Sequence, residues 1–208
     1  IDLTVKALKY LVGRIFIFEL YPFDFEEFLR AKNEDYAKFY TNYARIDLTK
    51  VKYMTNLNFK EEVASILRRY FEEYLIYGGY PRVVLAQDIE EKKEVLKNIY
   101  TTYFLREVKD YLGLVDDYKL HQLIKALSFQ IGRLIEYKEL SSISGYSFSS
   151  LKKYLNFLEK TYICFLLKPF FKNKRKEIVK NPKIYFLDTG LRNSIVRDFR
   201  RLKERTDS

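Results

Sequence analysis

The sequence is poor in the residues that build metal and covalent sites. Among 208 residues there is one cysteine, Cys164, one histidine, His121, and no tryptophan. A single cysteine excludes a disulfide framework, and with a single histidine it excludes a Cys/His zinc site. The apolar run at residues 163–167 is far too short to span a bilayer, so no membrane partner is expected. No GxxxxGK[ST] phosphate loop occurs anywhere. There is also no signal-peptide pattern and no initiator methionine, since the chain opens Ile-Asp-Leu-Thr. The expectation is a cytoplasmic chain that is a piece of something longer.

Hydrophobic residues make up 48% of the chain and charged residues 32%, the balance of a globular protein rather than a disordered one. At this length one or two domains are expected, burying about 70% of the unfolded surface. The net charge of +10 is unevenly spread. Residues 168–208 carry 13 basic and five acidic side chains, net +8, leaving residues 1–167 at only +2. A near-neutral body with a basic end is either a nucleic-acid footprint or a solvated Lys/Arg surface.

Apolar spacing predicts a mostly helical chain. Residues 2–12 read as a helix stopped by Gly13, and residues 15–20 as a short strand closed by Pro22. Asp24 with Glu27 caps a helix carrying Phe25, Phe28 and Leu29. Residues 34–45 form a helix whose Tyr36, Phe39, Tyr40 and Tyr43 make an aromatic packing stripe. Asn58 with Glu61 caps the next, with Val63, Leu67, Phe71 and Tyr74 inward, ending at Gly78-Gly79-Tyr80-Pro81. A longer helix is predicted over residues 90–112.

The last third reads differently. Asp116 caps a helix bearing Leu120, Leu123, Ile124, Leu127 and Ile131. A short helix over residues 137–144 follows, then a turn at Gly145. Ser147 caps a third helix, residues 148–160, whose Leu151, Leu155 and Leu158 face inward. Two β runs, 162–168 and 183–187, flank a basic loop. Three helices followed by a β-hairpin predict a winged helix-turn-helix.

On that fold residues 148–160 would be a recognition helix, showing Ser149, Ser150, Lys152, Lys153 and Asn156 outward. Lysine suits phosphate or guanine, asparagine suits adenine, and serine suits backbone or base. Lys172, Lys174, Arg175 and Lys176 would form a phosphate-neutralising wing. The partner is then double-stranded DNA; the alternative is a protein-docking module. No catalytic or metal residue is assigned. His121 lacks a visible partner and reads as a surface or packing residue, and Cys164 reads as a small core residue. Gly78-Gly79-Tyr80-Pro81 reads as a C-cap with a proline stop. Asp188, in Asp-Thr-Gly, is either a catalytic carboxylate or ordinary strand-to-turn chemistry.

Three segments, in order along nearly all of the chain, carry a resemblance: residues 11–29 (LVGRIFIFELYPFDFEEFL), 77–81 (YGGYP) and 180–192 (KNPKIYFLDTGLR). Together they resemble archaeal-type AAA+ ATPases that carry a winged helix and then a restriction-endonuclease-like domain of unknown function. The resemblance implies an α+β, mainly α architecture. Residues 1–33 would be the remnant of the ATPase core and 34–90 a helical lid. Residues 91–187 would be a linker and winged helix, and 188–208 the truncated start of the nuclease-like domain. It also implies that Gly79 and Pro81 contact the adenine side of a nucleotide. Arg14 and Arg106 become phosphate-sensing or intersubunit candidates. ATP and magnesium would belong to the longer protein, with phosphate loop and nuclease motifs outside this chain. The fragment would bind neither tightly and catalyse nothing alone. The expected function is coupling of ATP binding and hydrolysis to DNA or a protein partner. The alternative is a non-enzymatic winged-helix regulator.

Overall fold

A computed structural model describes residues 19–44, 61–106, 118–170 and 180–205. The chain is mainly helical with a two-stranded sheet. It divides into two compact units, each built from two separate stretches of sequence: Pro22–Lys97 with Asp188–Ser208, and Ile1–Tyr21 with Asn98–Leu187.

The first unit contains α1 (Phe25–Lys32), α2 (Glu34–Ala44), α3 (Glu61–Tyr77), the short α4 (Pro81–Val84) and α5 (Ile89–Asn98). Asp24 starts α1 with a full capping box: its carboxylate accepts the Glu27 N–H at 2.8 Å, and the Glu27 carboxylate accepts the Asp24 N–H at 3.0 Å. This sets Phe28 and Leu29 inward, where both are essentially fully buried. Their surroundings are aromatic. The Phe25 ring lies 5.2 Å from Tyr40, 5.1 Å from Phe71 and 5.6 Å from Tyr74. Edge-on pairs of this kind add about 0.5–1.5 kcal/mol each beyond area burial. Of the stripe on α2, Tyr36, Phe39 and Tyr40 are half-buried, as packing residues. Glu73 on α3 holds both Lys32, at 3.2 Å, and Lys92, so the buried Lys92 ammonium is paired.

This unit is closed by α9 (Thr189–Val196) and a 3₁₀ turn at Leu202–Glu204. The sequence reading treats residues 188–208 as the start of another domain. In the structure residues 188–205 pack with Pro22–Lys97, where the Asn193 side-chain amide donates to the carbonyls of Leu75 (3.0 Å) and Ile76 (2.8 Å). Nothing local in the sequence signals that return.

In the second unit a π-helical segment, Ile99–Leu105, precedes α6 (Tyr118–Phe129), α7 (Tyr137–Ser144), α8 (Phe148–Lys160), β1 (Cys164–Leu167) and β2 (Lys183–Phe186). The predicted helix over residues 90–112 is therefore α5 followed by a wider π turn, with residues 107–117 outside the description. Leu120, Leu123, Ile124 and Leu127 of α6 are fully buried, as are Ile135, Leu140, Leu151, Leu155, Leu158 and Ile184. The strands pair antiparallel, Cys164 opposite Phe186 and Leu167 opposite Lys183.

Ile131, expected as the last inward residue of the helix, instead lies past its end. It bridges Ile184, while Leu134 bridges Lys183. The Gly132 N–H donates to the Ile184 carbonyl at 2.8 Å, and the Ile135 N–H to the Pro182 carbonyl at 2.9 Å. The link between α6 and α7 thus adds a short third edge to the hairpin. Between α7 and α8, Gly145 takes φ +69°, the left-handed cap conformation that glycine adopts without strain. Ser147 then caps α8 by accepting the Ser150 N–H at 3.2 Å. Ser147→Ala should cost about 1 kcal/mol. A thermal melt of the chain should show this as a fall of a few degrees in Tm.

The expected helix at residues 2–12 and residues 15–18 of the expected strand at 15–20 lie outside the described residues, while Glu19 and Leu20 are not in a strand.

Candidate nucleic-acid interface

The outward face of α8 follows from its inward one. Leu151, Leu155 and Leu158 recur at helical spacing and are at most 1% exposed, so the positions between them turn to solvent. Ser149, Lys152, Lys153 and Asn156 are exposed and Ser150 is half-buried. The five predicted residues therefore share one helix and one side. The Lys152 ammonium sits 4.5 Å from the centre of the exposed Phe148 ring, a cation–π contact that holds the charge without neutralising it. Lys172, Lys174, Arg175 and Lys176 fall in the β1–β2 connection and lie outside the described residues, as does Arg14. Arg106 is exposed.

Beside this face is an open cleft of about 310 Å³. Its walls include Phe148, Lys152 and Asn156 from α8, Tyr137 from α7, Lys168 after β1, and Lys180 before β2. Tyr137 and Phe148 meet edge to face at 4.9 Å. Glu159 is the one acidic residue in the lining, and its carboxylate already accepts the Leu166 N–H at 3.1 Å. Sequence reasoning missed Lys168 and Lys180 as partners of α8, because only the hairpin pairing returns them to it.

Gly79 and Pro81 sit in the other unit, and each has a definite environment there. Gly79 is buried, and its N–H donates to the Asp188 carboxylate at 2.7 Å. A Cβ on Gly79 would lie 2.1 Å from the Phe23 carbonyl oxygen, one on Gly78 2.2 Å from Asp188 Oδ1, and one on Gly190 2.0 Å from the Tyr77 carbonyl oxygen. Gly78 and Gly190 thus permit a close crossing of the turn after α3 and the start of α9, and Gly79 a close approach of the same turn to Phe23. Asp188 is the N-cap of α9, accepting the Leu191 N–H at 2.7 Å, and the N–H groups of Gly190 and Tyr80 also contribute. Burial is the largest influence on its carboxyl and pushes it up to about 6, while those four N–H groups pull the other way. Asp188 is thereby a structural residue joining two segments. Pro81 is exposed at the first position of α4, where a missing N–H costs nothing.

The remaining candidates are quiet. Tyr100 and His121 Nδ1 lie 2.6 Å apart in a hydrogen bond, so His121 has the packing partner its sequence context hides. Cys164 is buried, and burial pushes its thiol up to about 12, the state of an unreactive core residue. Among the described residues no three of His, Cys, Asp and Glu form a metal-binding group, and no helix is long and apolar enough to cross a membrane.

What these observations define is a mainly helical protein with an exposed basic helix face above a small hairpin. The chain belongs to the family described as Domain of unknown function (DUF8612), whose model matches residues 68–203. That match begins inside α3 and runs past α9, so it takes in both sides of the glycine crossing. Similar chains include an uncharacterized protein of Haemophilus influenzae, 25% identical over 93% of this chain and 43% of its own length. Another is Uncharacterized protein MJ1544 of Methanocaldococcus jannaschii, 25% identical over 89% of this chain and 38% of its own. The chain thus spans about two fifths of the curated relatives it matches. No solved structure matches it.

Proposed function

We propose that residues 98–187 include a winged helix-turn-helix that binds duplex DNA through α8. The observation that carries this is the order of elements: helix, bridged edge, helix, helix, then hairpin, with the outward side of the third helix lined by Ser149, Lys152, Lys153 and Asn156. A helix of this kind enters the major groove, where lysine and asparagine read base edges or grip phosphates. The basic wing residues Lys172, Lys174, Arg175 and Lys176 add phosphate contacts in this reading.

Fluorescence anisotropy of a labelled mixed-sequence duplex tests it. Lys152→Ala/Lys153→Ala should weaken binding about tenfold or more across sequences, since each lysine supplies a phosphate or base contact. Equal affinity in the double variant would shift the unit to a protein-docking role.

The likeness to AAA+ ATPases extends the proposal to the longer protein, in which ATP hydrolysis on magnesium would be coupled to DNA affinity. The relatives keep more than half of their length outside the matched region, which leaves room for a nucleotide domain. The turn at Gly79 does not fit a nucleotide contact, because its one N–H is already held by Asp188. Equal DNA affinities for the ATP and ADP forms of the intact protein would contradict the coupling.

A further inference from the structure

The cleft beside α8 has a composition that a duplex-binding face does not require. Duplex backbone is held by cations and polar groups at the surface, whereas this recess adds aromatic and aliphatic walls. Phe148 is 54% exposed, with the Lys152 ammonium 4.5 Å from its ring centre and Tyr137 edge-on to it at 4.9 Å. Leu155, Leu166 and Pro182 add further apolar wall. Lys152, Lys168 and Lys180 also line the recess, with Glu159 the one acidic residue among the lining. Asn156 and Asn181 complete the polar lining.

An exposed ring over a small apolar recess, with several cations around it, matches a flat aromatic group bearing negative charge. The volume of about 310 Å³ lies at the small end of ligand sites, which run from roughly 300 to 1,000 Å³. It suits one nucleotide rather than two.

We propose that this cleft binds a single nucleobase with its 5′-phosphate, the base against Phe148 and Tyr137 and the phosphate among Lys152, Lys168 and Lys180. Stacking on an aromatic face accepts any base, because every base has a π-face, and the lysines supply charge neutralisation. That chemistry has two sources: a free mononucleotide, or the unpaired end of a nucleic-acid strand. Lys152 and Asn156 belong to both the cleft and the outward face of α8, so a free nucleotide there competes with duplex. The competition rests on the duplex reading above; binding in the cleft does not.

The test uses the 208-residue chain, with AMP followed by calorimetry and labelled duplexes followed by anisotropy. One duplex is blunt and the other carries a one-nucleotide overhang. Phe148→Ala and Lys180→Ala alter exposed residues, so folded protein is expected from both, and a thermal melt checks it. Lys153→Ala is the control, since Lys153 lies on the α8 face but does not line the cleft. Loss of one stacking partner should weaken binding about tenfold. Saturable AMP binding that weakens in Phe148→Ala and Lys180→Ala but not in Lys153→Ala supports the site, with the free nucleotide as its source. Absent AMP binding, tighter binding of the overhang duplex than the blunt one, lost in the same two variants, supports the strand end as source. No AMP binding together with equal affinity for both duplexes overturns the proposal. Lys153→Ala weakening blunt-duplex binding would leave the winged-helix reading standing even then.

Discussion

Gly190→Ala should destabilise the unit that contains it by about 4 kcal/mol, among the largest losses a single methyl can cause. The added carbon would sit 2.0 Å from the Tyr77 carbonyl oxygen, 2.2 Å from its carbon and 2.7 Å from the Gly78 nitrogen. All three are backbone atoms, so no side chain can rotate away, and either α9 or the end of α3 must move. Moving them breaks the bonds from Asn193 to Leu75 and Ile76 and the tie from Gly79 to Asp188. Gly79→Ala meets the Phe23 carbonyl oxygen at 2.1 Å and should behave alike. Gly145→Ala is the informative comparison. Its new carbon meets nothing closer than 3.7 Å, so only the left-handed backbone is penalised, at about 1 kcal/mol. Thermal unfolding should therefore show Gly190→Ala falling by roughly 10 °C and Gly145→Ala by a few degrees. Comparable melting points for the two would mean that the crossing is not as close as described.

Replacement of Asp188 by asparagine has the second large effect, and its pH dependence carries the diagnosis. The native carboxyl titrates near 6, above its ordinary 3.8, because it is buried. A group whose native pKa is raised binds its proton more tightly folded than unfolded. Stability from it is therefore greatest below about pH 4 and declines as pH rises towards 6, by about 3 kcal/mol in all. Above pH 6 the contribution is flat. Asp188→Asn cannot titrate, and its amide hydrogens oppose the N–H groups of Gly79 or Leu191, costing about 1–3 kcal/mol by leaving a buried donor unpaired. Glu73, which burial pushes up but Lys92 and Lys32 together hold below its ordinary range, and Asp198, held low by Arg200, contribute stability that is lost in the opposite direction, on acidification. They are common to both proteins and cancel in the difference. Urea unfolding at pH 4, 5, 6 and 7 should show the wild-type advantage over Asp188→Asn shrinking steadily up to pH 6. A constant difference would place the Asp188 carboxyl in a wetter setting than the crossing provides.

These two effects mark where sequence reasoning stops. Both depend on contacts between residues far apart in the chain, Asp188 with Gly79 at a separation of 109 positions and Gly190 with Tyr77, which no window of spacing or capping can see. The glycines and the Asp-Thr-Gly run were visible as turn chemistry, but nothing local tells a turn that ends a helix from one that must admit another backbone. Local signals fared better where they suffice. Ser147 before Leu151, Leu155 and Leu158 fixes both the start and the facing of α8, and the exposed face follows from the same arithmetic. Ile131 misled because it stands seven residues after Ile124, as a helix would have it, and its bridge to Ile184 is a long-range pairing. Phe71, expected inward, is 45% exposed yet packs its ring against Phe25, since an aromatic cluster at a small unit's edge cannot cover all its members. The cleft lysines, Lys168 and Lys180, belong with α8 only through the hairpin.

Whether α8 and the basic residues beside it hold a phosphate backbone is read most directly by the salt dependence of duplex binding. The logarithm of the association constant for a mixed-sequence duplex should fall linearly with the logarithm of salt concentration, with a slope of about −3 or steeper for three or more neutralised phosphates. In Lys152→Ala/Lys153→Ala the slope should flatten by about 2. A duplex that does not bind at low salt, or binds with a slope near zero, would contradict the assignment of this face to DNA.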